Sequence, residues 1–292
     1  MSIAPRENLQ TYLRNEIVSG RLPPGRKLPS ERELAEQFGL SRPVVREVLY
    51  GLSDGGLVDI QPSRGTFVRA ATTTDGVKSL DTLYRRREAT VRELTDARLM
   101  LETHAARLAA LHATEMEIRT LRWALDEMNE ARHVLEEAQL DLAFHALVVR
   151  ASHNMVIEIS YASISSLTFE LMLRSLSDRK VKQMGTPYHD TIWQAIADHD
   201  PDAAADAMGE HIELARHLYG EDFDRSVNFL ARREIHRQLG PSVSLDSVLQ
   251  EVERRHSEHM QSQFALERAR SGGREALDAE SRPPARSNTR RN

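Results

Sequence analysis

Three short helical periods followed by two alternating runs occupy residues 7–68, and few folds accept that order. Leu9, Leu13, Ile17 and Val18 recur at helical spacing, which predicts a helix over about 7–19 stopped by Gly20. Pro23-Pro24-Gly25 makes a rigid turn. Ser30 and Glu33 stand at capping-box spacing and open a second helix that ends at Gly39. Ser41 opens a third helix over about 42–54, where Pro43 is tolerated because the first turn has no helical partner for its missing N–H. Two short strands, 57–60 and 66–68, flank the turn Gln61-Pro-Ser-Arg-Gly65. Helix, helix, turn, helix and hairpin describe a winged helix-turn-helix, whose third helix enters a DNA major groove.

That geometry gives particular side chains work. Arg42 and Arg46 lie i, i+4 at the start of the third helix, and their planar forks suit guanine O6/N7 or a phosphate. Ser41 puts a hydroxyl and free backbone N–H groups where a phosphate can sit, with Val44 on the same helix start. Arg32 reaches the flanking backbone, and Arg64 with Gly65 at the hairpin tip suits the adjacent minor groove. The plainer reading of Arg42 and Arg46 is a solvated face paired to Glu47 or other acids.

The remainder is of a different kind. Residues 1–70 hold ten Lys/Arg against eight Asp/Glu and no histidine, whereas residues 71–267 hold 22 against 33 and all twelve histidines. With no cysteine, disulfide scaffolds, thiolate zinc fingers and cysteine nucleophiles are excluded. Neither an apolar leader nor an unbroken span of roughly 18–20 apolar residues is visible, so the expectation is a cytoplasmic protein without a membrane partner. The chain divides into a winged helix (1–70), a linker (71–86), a helical domain (87–220), further helices (221–270) and a basic tail expected to be disordered (271–292). Six helical patterns run over about 89–112, 114–132, 134–152 and 155–177, then from near Pro187 and near Pro201 behind Asp200. The fold class is therefore mostly α, a winged helix followed by an all-α antiparallel bundle.

One pattern in the bundle carries chemistry by itself. Asp141-Leu-Ala-Phe-His145 puts a carboxylate and an imidazole on one helix face, and His189 and His211 offer two more imidazoles from other helices. Together they would form a mixed N/O site with open positions, suited to Zn²⁺, Ni²⁺ or Mn²⁺. Twelve histidines also produce such a spacing by chance, and the alternative is an ordinary set of core or solvated side chains.

The N-terminal run Gly20-Arg-Leu-Pro-Pro-Gly25, Leu28-Pro-Ser-Glu-Arg-Glu-Leu-Ala35, Ser41-Arg-Pro-Val-Val-Arg-Glu-Val48 and Gly65-Thr-Phe-Val68 resembles the GntR-family DNA-binding domain. The resemblance implies DNA contacts by Arg32, Arg42 and Arg46 and by the hairpin tip. Where that family usually has Gly-Arg-Gly at the tip, this chain has Ser63-Arg64-Gly65, with less freedom for a left-handed backbone. Residues 90–220 resemble the FCD effector domain of the FadR-type subfamily through Ala97-Arg-Leu-Met-Leu-Glu102, Asp141 to His145 with Asn154 following, Tyr188-His-Asp and Ala203 to His211. This second resemblance implies that Asp141, His145, His189 and His211 hold a divalent metal in a ligand-binding role. It also implies a small organic-acid effector. Arg98 is either an anchor for that anion or the i, i+4 partner of Glu102, and Asn154 either contacts the ligand or caps a helix.

The expected function is a homodimeric transcriptional regulator, a repressor in the first instance, that binds double-stranded DNA at a near-palindromic operator and is no enzyme. The alternatives are a metal-dependent hydrolase using the Asp/His/His/His set and a DNA-binding protein without an effector.

Overall fold

The structure is a computed structural model that describes residues 5–72 and 77–239. The expected helices of 244–270 and the basic tail lie outside the described residues.

The N-terminal part has helices α1 (Pro5–Val18), α2 (Glu31–Phe38) and α3 (Arg42–Asp54), then strands β1 (Val58–Gln61) and β2 (Gly65–Val68). Ser30 and Glu33 form the capping box of α2, and Gly39 ends that helix in a left-handed conformation. Ser41 is the N-cap of α3 by backbone, but its hydroxyl makes no capping hydrogen bond. The strands pair antiparallel with Val58 opposite Val68. The turn before α2 runs along the other edge of β2: Gly25 N donates to Val68 O, Val68 N to Arg26 O and Leu28 N to Thr66 O. Leu9, Leu13, Leu34, Val45, Leu49, Leu52, Val58 and Val68 fill one core under this sheet.

At the hairpin tip Ser63 itself takes the left-handed conformation, with φ 60°, so the backbone turns there without the family's first glycine. Gly65 has φ 111°, and a Cβ at that position would come within 2.8 Å of the Lys27 side chain. The positive φ is what favours glycine there, since the Lys27 end could swing aside for a Cβ.

The second part is helical: α4 (Val77–Arg86), α5 (Val91–His112), α6 (Glu115–Glu130), α7 (Val134–Ala151), α8 (Met155–Leu176), α9 (Arg179–Ala197), α10 (Pro201–Tyr219) and α11 (Val227–Leu239), with a 3₁₀ turn at Gly220–Asp224. Helix α5 is the central rod and packs against α7, α8, α9 and α10. Its start is tied to that of α11 by Val91 N to Arg225 O and Val227 N to Ala89 O. Caps of the expected kind open α5 (Thr90/Glu93), α6 (Thr114/Glu117), α8 (Asn154) and α10 (Asp200). Helix α8 is long and apolar enough to cross a bilayer by length and composition, but 56% of that window is buried inside the protein. Its hydropathy is that of a core helix.

Two expectations are corrected here. Residues 77–86, read as part of a linker, form α4, an amphipathic helix packed on α8. Helix α9 begins at Arg179, not near Pro187, and carries that proline in its interior. A proline removes one i→i−4 hydrogen bond, and packing of Ile192 and Ile196 in the core holds the helix together downstream.

Helix α4 docks through buried charge. Arg85 lies 2.9 Å from Asp81 Oδ2 and 2.5 Å from Glu170 Oε1 of α8, and Ser166 donates to Asp81. Burial pushes the Glu170 carboxyl up to about 7, against the opposing pull of Arg85. Folded protein therefore binds a proton there that the unfolded chain, with its ordinary carboxyl, releases. This contribution is full below about pH 4.5 and is lost as pH rises through 7, and it is on the order of 3 kcal/mol. Replacing Glu170 by Gln is expected to shrink the difference in thermal stability between pH 5.5 and pH 8. Equal pH dependence in variant and wild type would show that Glu170 is ionised throughout.

Candidate metal centre and nucleic-acid interface

Three helices supply one cluster in the bundle interior. Helix α7 supplies Asp141 and His145, α9 supplies His189 and α10 supplies His211. One ligand atom from each residue lies within 4.8 Å of all the others. Asp141 Oδ1 stands 2.9 Å from His189 Nε2 and 3.3 Å from His145 Nε2. The His145 and His211 rings stack at 5.1 Å, and His189 meets His211 at 4.4 Å. Phe144 closes one side with its ring edge-on to His189 at 5.2 Å. His189 Nδ1 and His211 Nδ1 are buried with no hydrogen-bond partner among the described residues.

A second layer holds this one. Glu102 of α5 is fully buried; one of its oxygens bonds His145 Nδ1 and the other accepts from Arg98 Nε at 2.6 Å. With Nδ1 so occupied, His145 can offer only Nε2 toward the cluster. A carboxylate behind a ligating imidazole fixes its tautomer and raises its basicity.

The electrostatics agree. Burial opposes ionisation of Asp141, yet the imidazoles of His189 and His145 hold its carboxyl well below the usual range. Burial likewise opposes ionisation of Glu102, but Arg98 and His145 bring it down to about 2. His145 is raised: burial disfavours its charge, and Glu102 and Asp141 outweigh burial. His211 is lowered by burial and by the two neighbouring imidazoles. A cation at the cluster would replace this unfavourable crowding of imidazoles by coordination. One carboxylate oxygen and three imidazole nitrogens suit a borderline divalent metal.

Of the other candidates in this domain, Arg98 is buried and pairs with Glu102, so the ion-pair reading is realised. For Asn154 the capping alternative is realised: its Oδ1 accepts from Val156 N and Ile157 N at the start of α8. Sequence reasoning saw Glu102 only as the partner of Arg98, and the i, i+4 spacing of that pair was the one local signal for it.

The winged helix sets its candidates on the surface. Ser41, Arg42 and Arg46 are exposed at the start of α3, Val44 is half-buried there, Arg32 is exposed on α2, and Arg64 and Gly65 are exposed at the tip. Glu31, at the first turn of α2, organises the arginines. Arg46 makes a two-pronged pair with it, Nε and Nη2 each at 2.8 Å, and Arg42 Nη2 lies 3.7 Å away. The pairing to an acid anticipated for these arginines is thus present, with Glu31 rather than Glu47. Arg32 pairs with Glu36 at 3.7 Å. The Arg64 guanidinium and the Lys27 ammonium both approach the Phe67 ring, at 5.8 and 5.9 Å.

An exposed arginine fork on a recognition helix, joined in one chain to a buried Asp/His/His/His cluster, defines a two-part DNA-binding protein with a helical sensor domain. Residues 5–68 match the gntR family of bacterial regulatory proteins, and residues 93–214 match the FCD domain. The chain is 30% identical over 211 residues to the Glc operon transcriptional activator of Escherichia coli, covering 68% of this chain and 83% of that protein. It is 31% identical over 218 residues to the HTH-type transcriptional regulator LutR of Bacillus subtilis, covering 72% and 99%. Identity to the galactonate operon transcriptional repressor of E. coli is 30% over 217 residues, covering 71% and 93%. Among solved structures, a Streptococcus agalactiae GntR protein superposes with a TM-score of 0.54 at 26% identity, covering 73% of this chain and 99% of that one. The chain belongs to the GntR family and is a transcriptional regulator with an FCD effector domain.

Proposed function

We propose that this regulator represses transcription from a near-palindromic operator as a homodimer in the cytoplasm, and that a small organic acid held at a divalent metal releases it. Zn²⁺, Ni²⁺ and Mn²⁺ all suit the donors of Asp141, His145, His189 and His211. The metal supplies positive charge and open positions for a carboxylate; the chain supplies the dry, fixed cage. Arg42 and Arg46 would read base edges or phosphates, with Ser41, Val44 and Arg32 on the flanking backbone and Arg64 and Gly65 in the minor groove. Arg98 adds a buried positive charge behind the metal set. The observation that carries this reading is the convergence of one carboxylate and three imidazoles with ligand atoms within 4.8 Å of one another, each imidazole keeping a buried nitrogen without a hydrogen-bond partner among the described residues. One relative is named for the galactonate operon, and galactonate is a hydroxy acid.

The test is operator affinity, on a site selected from random duplex DNA, in zinc-loaded and chelated protein. Glycolate, lactate or galactonate is expected to weaken binding by about 5- to 150-fold in the loaded protein and to do nothing after chelation. Affinity that ignores both metal and acids would leave an effector-free DNA-binding protein, and metal-dependent hydrolysis of an ester of these acids would point to a hydrolase instead.

A further inference from the structure

Helices α7 and α8 form an antiparallel hairpin that turns at His153. His145 stands eight residues before that turn and Tyr161 eight after it. At 1.5 Å per residue, both lie about 12 Å from the turn, at the same height of the hairpin. Tyr161 is 2% exposed, and its hydroxyl has no hydrogen-bond partner among the described residues. The two carboxylates whose charge acts on it are already engaged. Glu102 serves Arg98 and His145, and Asp141 serves His189 and lies against His145.

We propose that the Tyr161 hydroxyl belongs to the effector site and donates a hydrogen bond to an oxygen of the small acid held at the Asp141/His145/His189/His211 cluster. This rests on the metal-and-acid reading above. Burial, with the nearby Glu102 and Asp141 charges, pushes the phenol well above its ordinary value, so it keeps its proton and can serve an anion as donor. A buried hydroxyl with no acceptor is unfavourable, whereas a hydrogen bond to a charged oxygen is among the stronger ones in a protein. Tyr161 therefore favours the loaded state over the empty one. The ligand class this selects is a short carboxylate whose oxygen extends past the metal toward α8.

Tyr161→Phe removes the hydroxyl and little else. Three quantities test it against wild type: thermal stability of the metal-free protein, zinc affinity, and affinity of the zinc-loaded protein for glycolate, lactate and galactonate by calorimetry. Expected are metal-free stability equal to or above wild type, zinc affinity within about two-fold, and acid affinity about ten-fold weaker. A ten-fold change is the size of one such hydrogen bond. Equal acid affinity in both proteins overturns the assignment of Tyr161 while leaving the acid reading intact. Reduced zinc affinity overturns it too, because Tyr161 would then position the metal set. If wild type binds none of the acids, the reading of the whole site fails, and this one with it. Should the variant not fold, 3-fluorotyrosine placed at position 161 gives a single fluorine resonance. A shift on adding acid to the zinc-loaded protein supports the contact, and an unmoved line refutes it.

Discussion

Replacing Glu102 by Ala is expected to lower the stability of the metal-free protein by about 3–5 kcal/mol, the usual consequence of stranding a buried charge. Arg98 is 4% exposed, and its Nε–H bond to Glu102 is the ion pair the structure gives it, so removing the carboxylate leaves a guanidinium in the core. The milder Glu102→Gln keeps the shape and separates the two roles of the residue. It retains an acceptor for Arg98 but loses the charge behind His145 Nδ1, and zinc affinity should fall by about 10- to 100-fold. Since the Glu102 carboxyl sits at about 2 in the folded protein, its stabilisation is complete above about pH 4.5 and disappears as pH falls toward 2. Chemical unfolding at pH 7 and at pH 3.5 reads this directly. Wild type should lose more stability between those values than Glu102→Gln does. Unchanged zinc affinity in Glu102→Gln would mean that the carboxylate only neutralises Arg98.

Arg46→Ala should abolish specific operator binding, with a loss on the order of 100-fold, and leave zinc content unchanged. In the free protein the Arg46 fork is held by both oxygens of Glu31, aligned and ordered on the exposed face of α3. DNA must take over that fork from Glu31. A guanine edge accepts two parallel N–H bonds, as the carboxylate does, so the same geometry serves both partners. The salt dependence separates the two DNA targets. If Arg46 reads a base, the variant loses sequence preference while the slope of affinity against salt stays put; if it grips a phosphate, the slope drops by about one. Specific binding that survives in Arg46→Ala would sink the recognition-helix assignment.

How much was legible in the sequence depends on how far apart the interacting groups stand along the chain. Ser30 with Glu33, Thr114 with Glu117 and Gly39 announce helix ends, because cap hydrogen bonds close within three or four residues. Asp141 with His145 and Arg98 with Glu102 are likewise visible at i, i+4, since a helix of 3.6 residues per turn puts them on one face whatever surrounds it. His189 and His211 are different. They were candidates by their place on other helices, but no spacing ties them to Asp141, and the resemblance to the FCD domain is what set them above the other histidines.

The structure then decided what no local pattern encodes. Residues 77–86 became a helix because Arg85 and Asp81 find Glu170 and Ser166 on a helix some eighty residues away. Helix α9 runs through Pro187 because its apolar face is held in the bundle core, and the cost of one missing hydrogen bond is outweighed by that burial. Asn154 took the capping role, since its side-chain oxygen had two N–H groups at the start of α8 within reach. Glu102 reached His145, and Tyr161 was buried without a hydrogen-bond partner among the described residues, only once α5, α7 and α8 were packed together. The sequence by itself determined most of the elements, several of their caps and the residue pairs within a single helical turn. The tertiary structure decided which of those faces meet, because that choice minimises exposed apolar surface over the whole chain and is written in no one segment of it.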